Sequence, residues 1–283
     1  MLNTMEYRNV KPLIKWAGGK RQLINELYQR IPINFNCYYE PFIGGASFLV
    51  YLYNMNIINK AVISDLNAEL INFYNVIKYN EDEFLLNIKN QELKNDSETY
   101  YKLRERFNCI KGNNEYKIER AVLFIYLNKH AYNGLWRVNS KNFFNVPFGK
   151  YKNVNIINYG NVHNFHIMLK KINILNLDFE MAVKNASEND FVYFDPPYMP
   201  LNKTSYFTGY TKEGFNYSDQ IRLFNVFKEL TDKNVKLMLS NSYSDYIIDL
   251  YKEFNISIVN ANRFINSDKN KRTGSKELII TNY

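Results

Sequence analysis

Short apolar runs alternate with stretches of helical periodicity along much of this 283-residue chain. The apolar runs predict strands at residues 37–40, 61–65, 174–179, 191–194, 235–239, 256–259 and 277–281. Apolar side chains spaced three or four apart predict helices between them, over 67–78, near 181–184, from Ser218 or Asp219 onward, and near 244–254. This alternation is typical of an α/β fold with a mostly parallel, doubly wound sheet. The last two strands, which a basic loop joins, are expected to form an antiparallel edge pair.

One segment departs from this alternation. From about residue 81 to 129 the pattern is helical and polar, with two apolar faces. Residues 128–151 are rich in Asn, Gly, aromatic and basic side chains without a regular period, which indicates a structured, exposed loop. The predicted organisation is therefore a sheet-bearing domain of residues 1–80 and 161–283 with an inserted helical domain of residues 81–160.

The charge balance narrows the class of partner. Lys plus Arg outnumber Asp plus Glu by 36 to 28, and the net charge of +8 favours a polyanion such as nucleic acid without requiring one. No apolar run approaches the roughly 18 residues of a membrane span, and the N-terminus lacks the pattern of a signal peptide, so we expect a cytoplasmic protein. The two cysteines and three histidines lack metal-ligand spacing, so no metal site is expected.

The tetrapeptide Asp195-Pro196-Pro197-Tyr198 directly follows the buried-strand pattern of residues 191–194. Strand ends are where α/β folds gather their chemistry. A carboxylate followed by two residues without N–H groups offers hydrogen-bond acceptors and no competing backbone donors. This suits a substrate group that only donates, such as the exocyclic amine of a nucleobase, with Tyr198 as a stacking face. The alternative is an ordinary turn at a strand end.

Two glycine-containing segments lie near the N-terminus. Residues 15–20 precede a predicted helix and bring Lys20 to where it can meet an anion, although their spacing is not that of a nucleotide-hydrolysing P-loop. A plain helix-entry turn is the alternative there. Residues 40–48 join a strand end to a helix through a Gly-Gly pair, and Asp65 ends the next strand 21 residues after Gly44. An acid at this distance typically binds a ribose, so the pattern predicts a cofactor that carries a nucleoside.

With these segments in this order, the chain strongly resembles the DNA adenine N6-methyltransferases of the Dam type, which use S-adenosylmethionine. The resemblance runs essentially end to end and is carried by residues 16–20, 40–45, 64–67, 195–198 and 278–283. Ala46 departs from it, since many relatives have a third glycine there, but alanine is small enough that cofactor binding is expected to survive. The resemblance implies a Rossmann-like methyltransferase sheet with an inserted helical DNA-recognition domain. We expect a monomer or weak dimer that acts on double-stranded DNA in the nucleoid of a prokaryotic or phage-infected cell.

The resemblance also implies the site residues. Cofactor contacts are expected at Trp16, Lys20, Phe42, Gly44, Asp65, Asp178, Phe179 and Asp195, with Asp178 at the end of the strand before the catalytic one. DNA contacts are expected at Lys15, Tyr132, Asn133, Leu135, Arg137 and Pro147. Within that set, Tyr132 enters the base stack and Arg137 reads a guanine, with GATC as the first choice of target. The catalytic corner is Asp195, Pro196, Pro197 and Tyr198, where Asp195 and the Pro196 carbonyl hold the amino group of a flipped adenine for direct displacement.

The residues themselves agree with a DNA-contacting role. Aromatic and basic side chains interleave over 132–150, as phosphate contact and wedge insertion require, and Arg suits guanine. A small hydrophobic subcore with surface charges is the competing interpretation. The loop at 199–215 either folds over the flipped base or is a passive surface loop, and the basic stretch 269–276 is expected to clamp the DNA backbone.

Three alternative functions stay open at this point. One is N4-cytosine methylation, although cytosine enzymes more often carry Ser at position 195. The others are a non-catalytic DNA-binding relative and an RNA methyltransferase.

Overall fold

The computed structural model describes residues 9–20, 22–198, 215–261 and 275–283. Within them, one mixed sheet contains the strands β1 Tyr38–Glu40, β2 Ala61–Ser64, β3 Ile172–Leu175, β4 Phe191–Phe194, β5 Lys236–Ser242, β6 Asn255–Ala261 and β7 Ser275–Thr281. Their spatial order is β3-β2-β1-β4-β5-β7-β6. The first five strands pair in parallel, and β7 runs antiparallel to both of its neighbours. The predicted α/β class and the antiparallel pairing of the last two strands are therefore confirmed.

The sheet reverses its winding direction at β1, which pairs with both β2 and β4. After β1 the chain builds β2 and β3 outward on one side, and then returns to build β4 and β5 on the other. In open α/β sheets, the crevice at such a reversal is the usual place for a ligand. The carboxyl ends of β1 and β4 flank this crevice, so residues 40 and 195 are brought close to each other.

Ten helices of the described residues cover and extend this sheet. They are α1 Ile24–Tyr28, α2 Ser47–Asn54, α3 Ala68–Tyr79, α4 Glu81–Asn90, α5 Ser97–Ile110, α6 Lys117–His130, α7 Tyr159–Leu169, α8 Phe179–Ala182, α9 Tyr217–Asp232 and α10 Asp245–Leu250. Helix α3 begins as its sequence predicts, because the Asn67 side chain accepts hydrogen bonds from the N–H groups of Glu69 and Leu70.

The predicted strand 174–179 is misplaced. Strand β3 begins earlier and ends at Leu175, because its partner β2 ends at Ser64 and offers no further ladder. Beyond that point the Ser64 hydroxyl, rather than a strand, accepts the hydrogen bond of the Leu177 N–H at 3.1 Å. Asp178 therefore does not end a strand but caps α8, where its side chain accepts from the Glu180 N–H.

The prediction that residues 128–151 form an exposed loop is wrong in part. Helix α6 continues to His130, and the side chains of Trp136, Phe144 and Val146 beyond it are buried. Trp136 packs on Phe124 of α6 with ring centroids 4.4 Å apart and on Phe144 at 4.7 Å. The hydrophobic subcore that competed with the loop interpretation is thus present. It lacks sequence periodicity because it is built from irregular backbone.

Two further predictions change in detail. Helix α9 is capped by Asn216 instead of Ser218 or Asp219, and Asp219 closes the capping box by accepting from the Asn216 N–H. The helix near 181–184 begins two residues earlier, at Phe179. Most of the predicted closing loop and of the predicted basic clamp lies outside the described residues.

A buried ion pair joins α3 to α6. Both nitrogens Nε and Nη2 of Arg120 donate to the Glu69 carboxylate, at 2.9 and 2.7 Å, and the two side chains are 4% and 3% exposed. Glu69 also accepts from the Gly112 N–H, and Arg120 donates to the Asn113 carbonyl. The turn after α5 is therefore fixed to the same pair.

We predict that Arg120→Met destabilises the protein by about 3 to 5 kcal/mol, because it leaves the Glu69 carboxylate buried without its partner. Chemical denaturation monitored by circular dichroism measures the change. The matched control is Arg106→Met, which removes a similar two-point contact with Glu119 at the surface and is expected to change the free energy of unfolding little. Equal effects of the two substitutions would contradict the role assigned to the buried pair.

Candidate active site

Acidic residues stand at the carboxyl ends of three neighbouring strands. Glu40 ends β1, Asp65 follows β2, and Asp195 follows β4. Because these strands are parallel, all three acids lie along one edge of the sheet, beside the reversal at β1.

The Lys20 ammonium lies at the centre of the contacts around Asp195 and Tyr198, two residues of the corner predicted to be catalytic. It is buried at 6% exposure and lies 2.8 Å from Asp195 Oδ1 and 3.8 Å from Glu277 Oε2. It also donates to the Tyr198 hydroxyl at 2.6 Å and to the Gly18 carbonyl at 3.2 Å. The Tyr198 hydroxyl in turn donates to Glu277. The anion that Lys20 was predicted to meet is thus, in this structure, a pair of the protein's own carboxylates.

Burial and neighbouring charges shift the pKa of Asp195. Burial raises the pKa of Asp195 and the negative charge of Glu277 adds to the rise, while Lys20 opposes it. The Ser240 hydroxyl donates to Asp195 Oδ1 at 3.2 Å and is itself 2.8 Å from the Tyr193 hydroxyl. These contacts hold Asp195 in one orientation at the mouth of the crevice.

Glu40 is the third acid near this corner. Burial raises the pKa of Glu40 to about 8, and the charge of Asp195 contributes. The Tyr38 hydroxyl donates to Glu40 Oε2 at 2.8 Å.

Asp65 and Gly44 meet at the head of the glycine turn. The Asp65 carboxylate accepts from the Gly44 N–H at 3.1 Å with one oxygen and from the Asn67 N–H at 2.9 Å with the other. Burial nevertheless raises the pKa of Asp65 to about 6. A carboxylate has about four acceptor positions, so two backbone donors leave it able to bind further hydroxyl groups. This is the chemistry predicted for a ribose site.

The indole of Trp16 lies against the glycine turn. A Cβ atom at Gly44 would come within 2.7 Å of the Trp16 ring, and one at Gly45 within 2.9 Å of its Cβ. Gly44 also has φ of +43°, a conformation that favours glycine. Both glycines are required by the close approach of Trp16, whose ring also stacks on Trp136 at 6.5 Å.

An aromatic group lies beside the glycine turn. Phe42 stacks on Phe179 with centroids 5.4 Å apart, and Phe215 packs on both rings. Arg222 of α9 lies over the Phe179 ring at 4.5 Å and binds the Asp178 carboxylate at 3.2 and 2.9 Å. Phe42 and Phe179, both expected cofactor contacts, thus lie together, whereas Asp178 is engaged by an arginine that the sequence did not single out.

Lys15 is fixed by its backbone. The buried side chain of Asn128 accepts from the Lys15 N–H at 2.8 Å and donates to its carbonyl at 2.7 Å. A Cβ at Gly134 would lie 2.6 Å from the Lys15 Cβ, so the segments that contain Gly134 and Lys15 are in contact. The Lys15 ammonium lies 4.3 Å from the centre of the Tyr151 ring. Lys15 is thereby joined to the segment that holds the other predicted DNA contacts.

The remaining predicted DNA contacts lie on a hairpin-like segment closed by isolated bridges between Ala131 and Phe148 and between Val138 and Phe144. Three of them are exposed, namely Tyr132, Asn133 and Pro147, and the Tyr132 N–H donates to the Pro147 carbonyl at 2.9 Å. Two are half-buried, namely Leu135 and Arg137.

The Arg137 guanidinium has a fixed orientation. Its Nε donates to the Asn145 side chain at 2.8 Å, and the Asn145 N–H donates back to the Arg137 carbonyl at 3.2 Å. Asn145 was not among the predicted site residues.

Besides Arg222 and Asn145, sequence reasoning missed three polar residues of this region: Glu277, Ser240 and Asn128. Each is a polar residue within or beside an apolar run, since Glu277 precedes Leu278-Ile279-Ile280, Ser240 follows Leu237-Met238-Leu239, and Asn128 follows residues 121–127 of α6. A buried polar side chain needs a partner, so a polar residue that interrupts a core run is a usable signal.

In the part of the chain that the structure describes, no helix is long and apolar enough to cross a membrane. Among the same residues, no group of three or more His, Cys, Asp or Glu side chains has an arrangement that could hold a metal ion.

Comparisons with known proteins show the family to which the chain belongs. The family model described as D12 class N6 adenine-specific DNA methyltransferase matches residues 16–265. The chain is 45% identical to the type II methyltransferase M.MjaIII of Methanocaldococcus jannaschii, over 97% of this chain and 99% of that protein. It is 43% identical to the type II methyltransferase M1.LlaDCHI of Lactococcus lactis subsp. cremoris, over 97% and 96% of the two chains. It is 34% identical to the DNA adenine methylase of Haemophilus influenzae, over 95% and 92%.

The family's base preference favours adenine over the alternative of N4-cytosine methylation. The chain belongs to the D12 class of N6 adenine-specific DNA methyltransferases.

Proposed function

We propose that the protein transfers a methyl group from S-adenosylmethionine to N6 of adenine within GATC in duplex DNA, after flipping the adenine out of the helix. The observation that carries the proposal is the buried corner of Asp195, Lys20 and Tyr198 beside the Asp65–Gly44 contact, at the reversal of the sheet. One crevice then serves the methyl donor on its Asp65 side and the target amine on its Asp195 side.

The donor site fits S-adenosylmethionine by its chemistry. Asp65 accepts hydrogen bonds from ribose hydroxyls, and Phe42 and Phe179 offer flat apolar surface for an adenine ring. Asp178 offers the donor site a further hydrogen-bond acceptor, and Arg222 holds its carboxylate in place. When bound, the cofactor supplies an electrophilic methyl group on positively charged sulfur.

The catalytic corner orients the target amine. Asp195 accepts one amino hydrogen and the Pro196 carbonyl the other, which turns the nitrogen lone pair toward the donor. The adjacent prolines contribute no N–H groups that compete for Asp195. Rate enhancement then comes from positioning and from charge complementarity, and no covalent enzyme intermediate is needed. Tyr198 forms one wall of the pocket for the extruded ring.

Recognition of DNA belongs to the inserted helical domain of residues 81–160. Tyr132 is 49% exposed on the hairpin-like segment, which suits insertion into the base stack. Lys15, Asn133, Leu135 and Pro147 complete the surface that meets the bases. Arg137, oriented by Asn145, reads a guanine through its outer nitrogens. The net charge of +8 supplies attraction to the phosphates.

We expect labelled methyl groups to be transferred to a duplex with unmodified GATC, and not to a scrambled duplex or to one with N6-methyladenine already in GATC. Nucleoside mass spectrometry locates the product at N6. Asp195→Ala is expected to lower kcat by about 10²- to 10³-fold, because it removes the acceptor that orients the amine.

The matched control for this substitution is Asp249→Ala, at an exposed carboxylate that pairs with Lys252, and it is expected to keep full activity. Equal transfer to the scrambled duplex would reject the GATC target. Full activity of Asp195→Ala would reject the assigned corner.

We predict that Arg137→Ala relaxes discrimination at one guanine position by about 10- to 100-fold, the range expected for loss of a two-point contact with guanine. Steady-state kcat/KM on duplexes substituted at each position of the site measures this. Arg30→Ala, at an arginine that pairs with Glu26 on α1, is the control and is expected to leave the profile unchanged. A uniform loss on all duplexes would assign Arg137 to the phosphate backbone instead.

A further inference from the structure

Two hydroxyl groups form a buried chain that ends on Asp195. The Tyr193 hydroxyl lies 2.8 Å from Ser240 Oγ, and Ser240 Oγ lies 3.2 Å from Asp195 Oδ1. Tyr193 and Ser240 are 1% and 0% exposed. The chain follows from the pairing of β4 with β5, because Asp195 and Ser240 come directly after the paired residues Phe194 and Leu239. Tyr193 is two residues before Asp195 and therefore lies on the same face of the sheet.

The number of hydrogens fixes the direction of this chain. Each hydroxyl has one hydrogen to donate, and an ionised carboxylate can only accept. Ser240 therefore gives its hydrogen to Asp195, and its oxygen is left to accept from Tyr193. Burial and the charge of Asp195 raise the pKa of Tyr193 well above its ordinary value, so the phenol keeps the hydrogen that this arrangement requires.

In the part of the chain that the structure describes, both donors to the Asp195 carboxylate lie on the same oxygen. Oδ1 accepts from Lys20 Nζ at 2.8 Å and from the Ser240 hydroxyl at 3.2 Å. A carboxylate oxygen has about two acceptor positions, so these two donors occupy Oδ1. Oδ2 is then the oxygen that can accept a hydrogen from the target amine while Lys20 stays in place.

The two donors differ in how strongly they constrain the carboxylate. The Lys20 ammonium is a compact charge on a flexible stem, and it attracts a carboxylate oxygen from many directions. The terminal torsion of an Asp side chain is broad, so neither Lys20 nor the side chain itself fixes the plane of the carboxylate. Ser240 has a short side chain on β5, a strand that is paired with β4 on one side and β7 on the other. The sheet therefore sets the position of its hydroxyl.

We propose that Ser240 is a positioning residue that fixes the plane of the Asp195 carboxylate and thereby turns Oδ2 toward the target amine, and that Tyr193 acts through Ser240. Neither hydroxyl touches the substrate in this scheme. Tyr193 directs the Ser240 hydrogen toward Asp195, and Ser240 holds Oδ1. A rotated carboxylate would misalign the amine, and small errors of alignment slow a reaction that depends on positioning. The inference rests on the proposed function through the role given to Asp195.

The test is Ser240→Ala, measured as the single-turnover rate of methyl transfer so that product release does not mask the chemical step. We expect this rate to fall by about 10- to 100-fold, the range for loss of a hydrogen bond to a charged group. The affinity for S-adenosylmethionine is expected to stay near its original value, because Ser240 acts on the carboxylate that holds the amine.

The matched control is Ser187→Ala. It removes a hydrogen bond of 3.3 Å from an exposed serine to Asp190, the residue that precedes β4 at its opposite end. This variant is expected to keep full activity. Full activity of Ser240→Ala, or an equal loss in the two variants, rejects the inference.

Tyr193→Phe keeps the ring and removes only the hydroxyl, so it tests the chain independently. We expect a smaller loss than in Ser240→Ala, because Ser240 can still donate to Asp195. The double variant is expected to react at the rate of Ser240→Ala alone, since Tyr193 acts only through Ser240. If the two single losses multiply instead, the chain is rejected. Thermal unfolding of each variant separates loss of fold from loss of function.

The pH profile is a readout that a mere loss of packing would not move. Burial raises the pKa of Asp195, and the hydrogen bond from Ser240 opposes that rise. Its removal raises the pKa further, and Asp195 must be ionised to accept from the amine. The acidic limb of the single-turnover rate is therefore expected to move to higher pH in Ser240→Ala, and an unmoved or lowered limb contradicts the inference. The substitution leaves unchanged the titratable groups that act on Asp195, namely Lys20, Tyr38, Glu40, Tyr193, Tyr198 and Glu277.

The DNA for these measurements is an unmethylated plasmid, which contains many sequences besides GATC. If the unaltered protein makes no N6-methyladenine in it, the proposed function itself fails. If the unaltered protein is active and Ser240→Ala is equally active, only the role of Ser240 is rejected.

Discussion

The buried Lys20 ammonium is the interaction on which the site depends. A positive charge at 6% exposure is stable only with anionic partners, and these come from the end of β4 and from β7. The requirement links a loop near the N-terminus to the middle and to the last strand of the chain. Strand β7 lies between β5 and β6, and this placement brings Glu277 to the corner.

A second constraint is steric and joins the crevice to the hairpin-like segment. Trp16 fills the space that side chains at Gly44 and Gly45 would occupy, and its ring also stacks on Trp136. Trp136 is in turn packed on Phe124 of α6. Because interiors are close-packed, this stack fixes the distance between the glycine turn and the segment that bears Arg137. The glycine turn and this segment are thereby packed against each other through Trp16 and Trp136.

Local patterns predicted much of the fold. Strand β4, the Asn67 cap and the Gly44–Asp65 pair could be predicted because each depends on nearby residues. Asp178 was misplaced because the end of β3 is set by its partner strand, which lies more than a hundred residues away in sequence. The burial of Trp136 was not predicted, since irregular backbone can bury a side chain in a segment whose sequence has no hydrophobic periodicity. Glu277 was missed because its partners are 79 residues away at Tyr198 and farther still at Lys20.

The charges of the corner bear on the titration of Glu40. Asp195 and Glu277 place two carboxylates against the single positive charge of Lys20. An ionised Glu40 would add a third in the same low-dielectric space, and burial together with Asp195 raises its pKa to about 8. In the proposed function, an excess of negative charge in this crevice would favour a methyl donor with positively charged sulfur. It would favour the donor less once the sulfur is neutral, so the same charge would assist release of the spent cofactor.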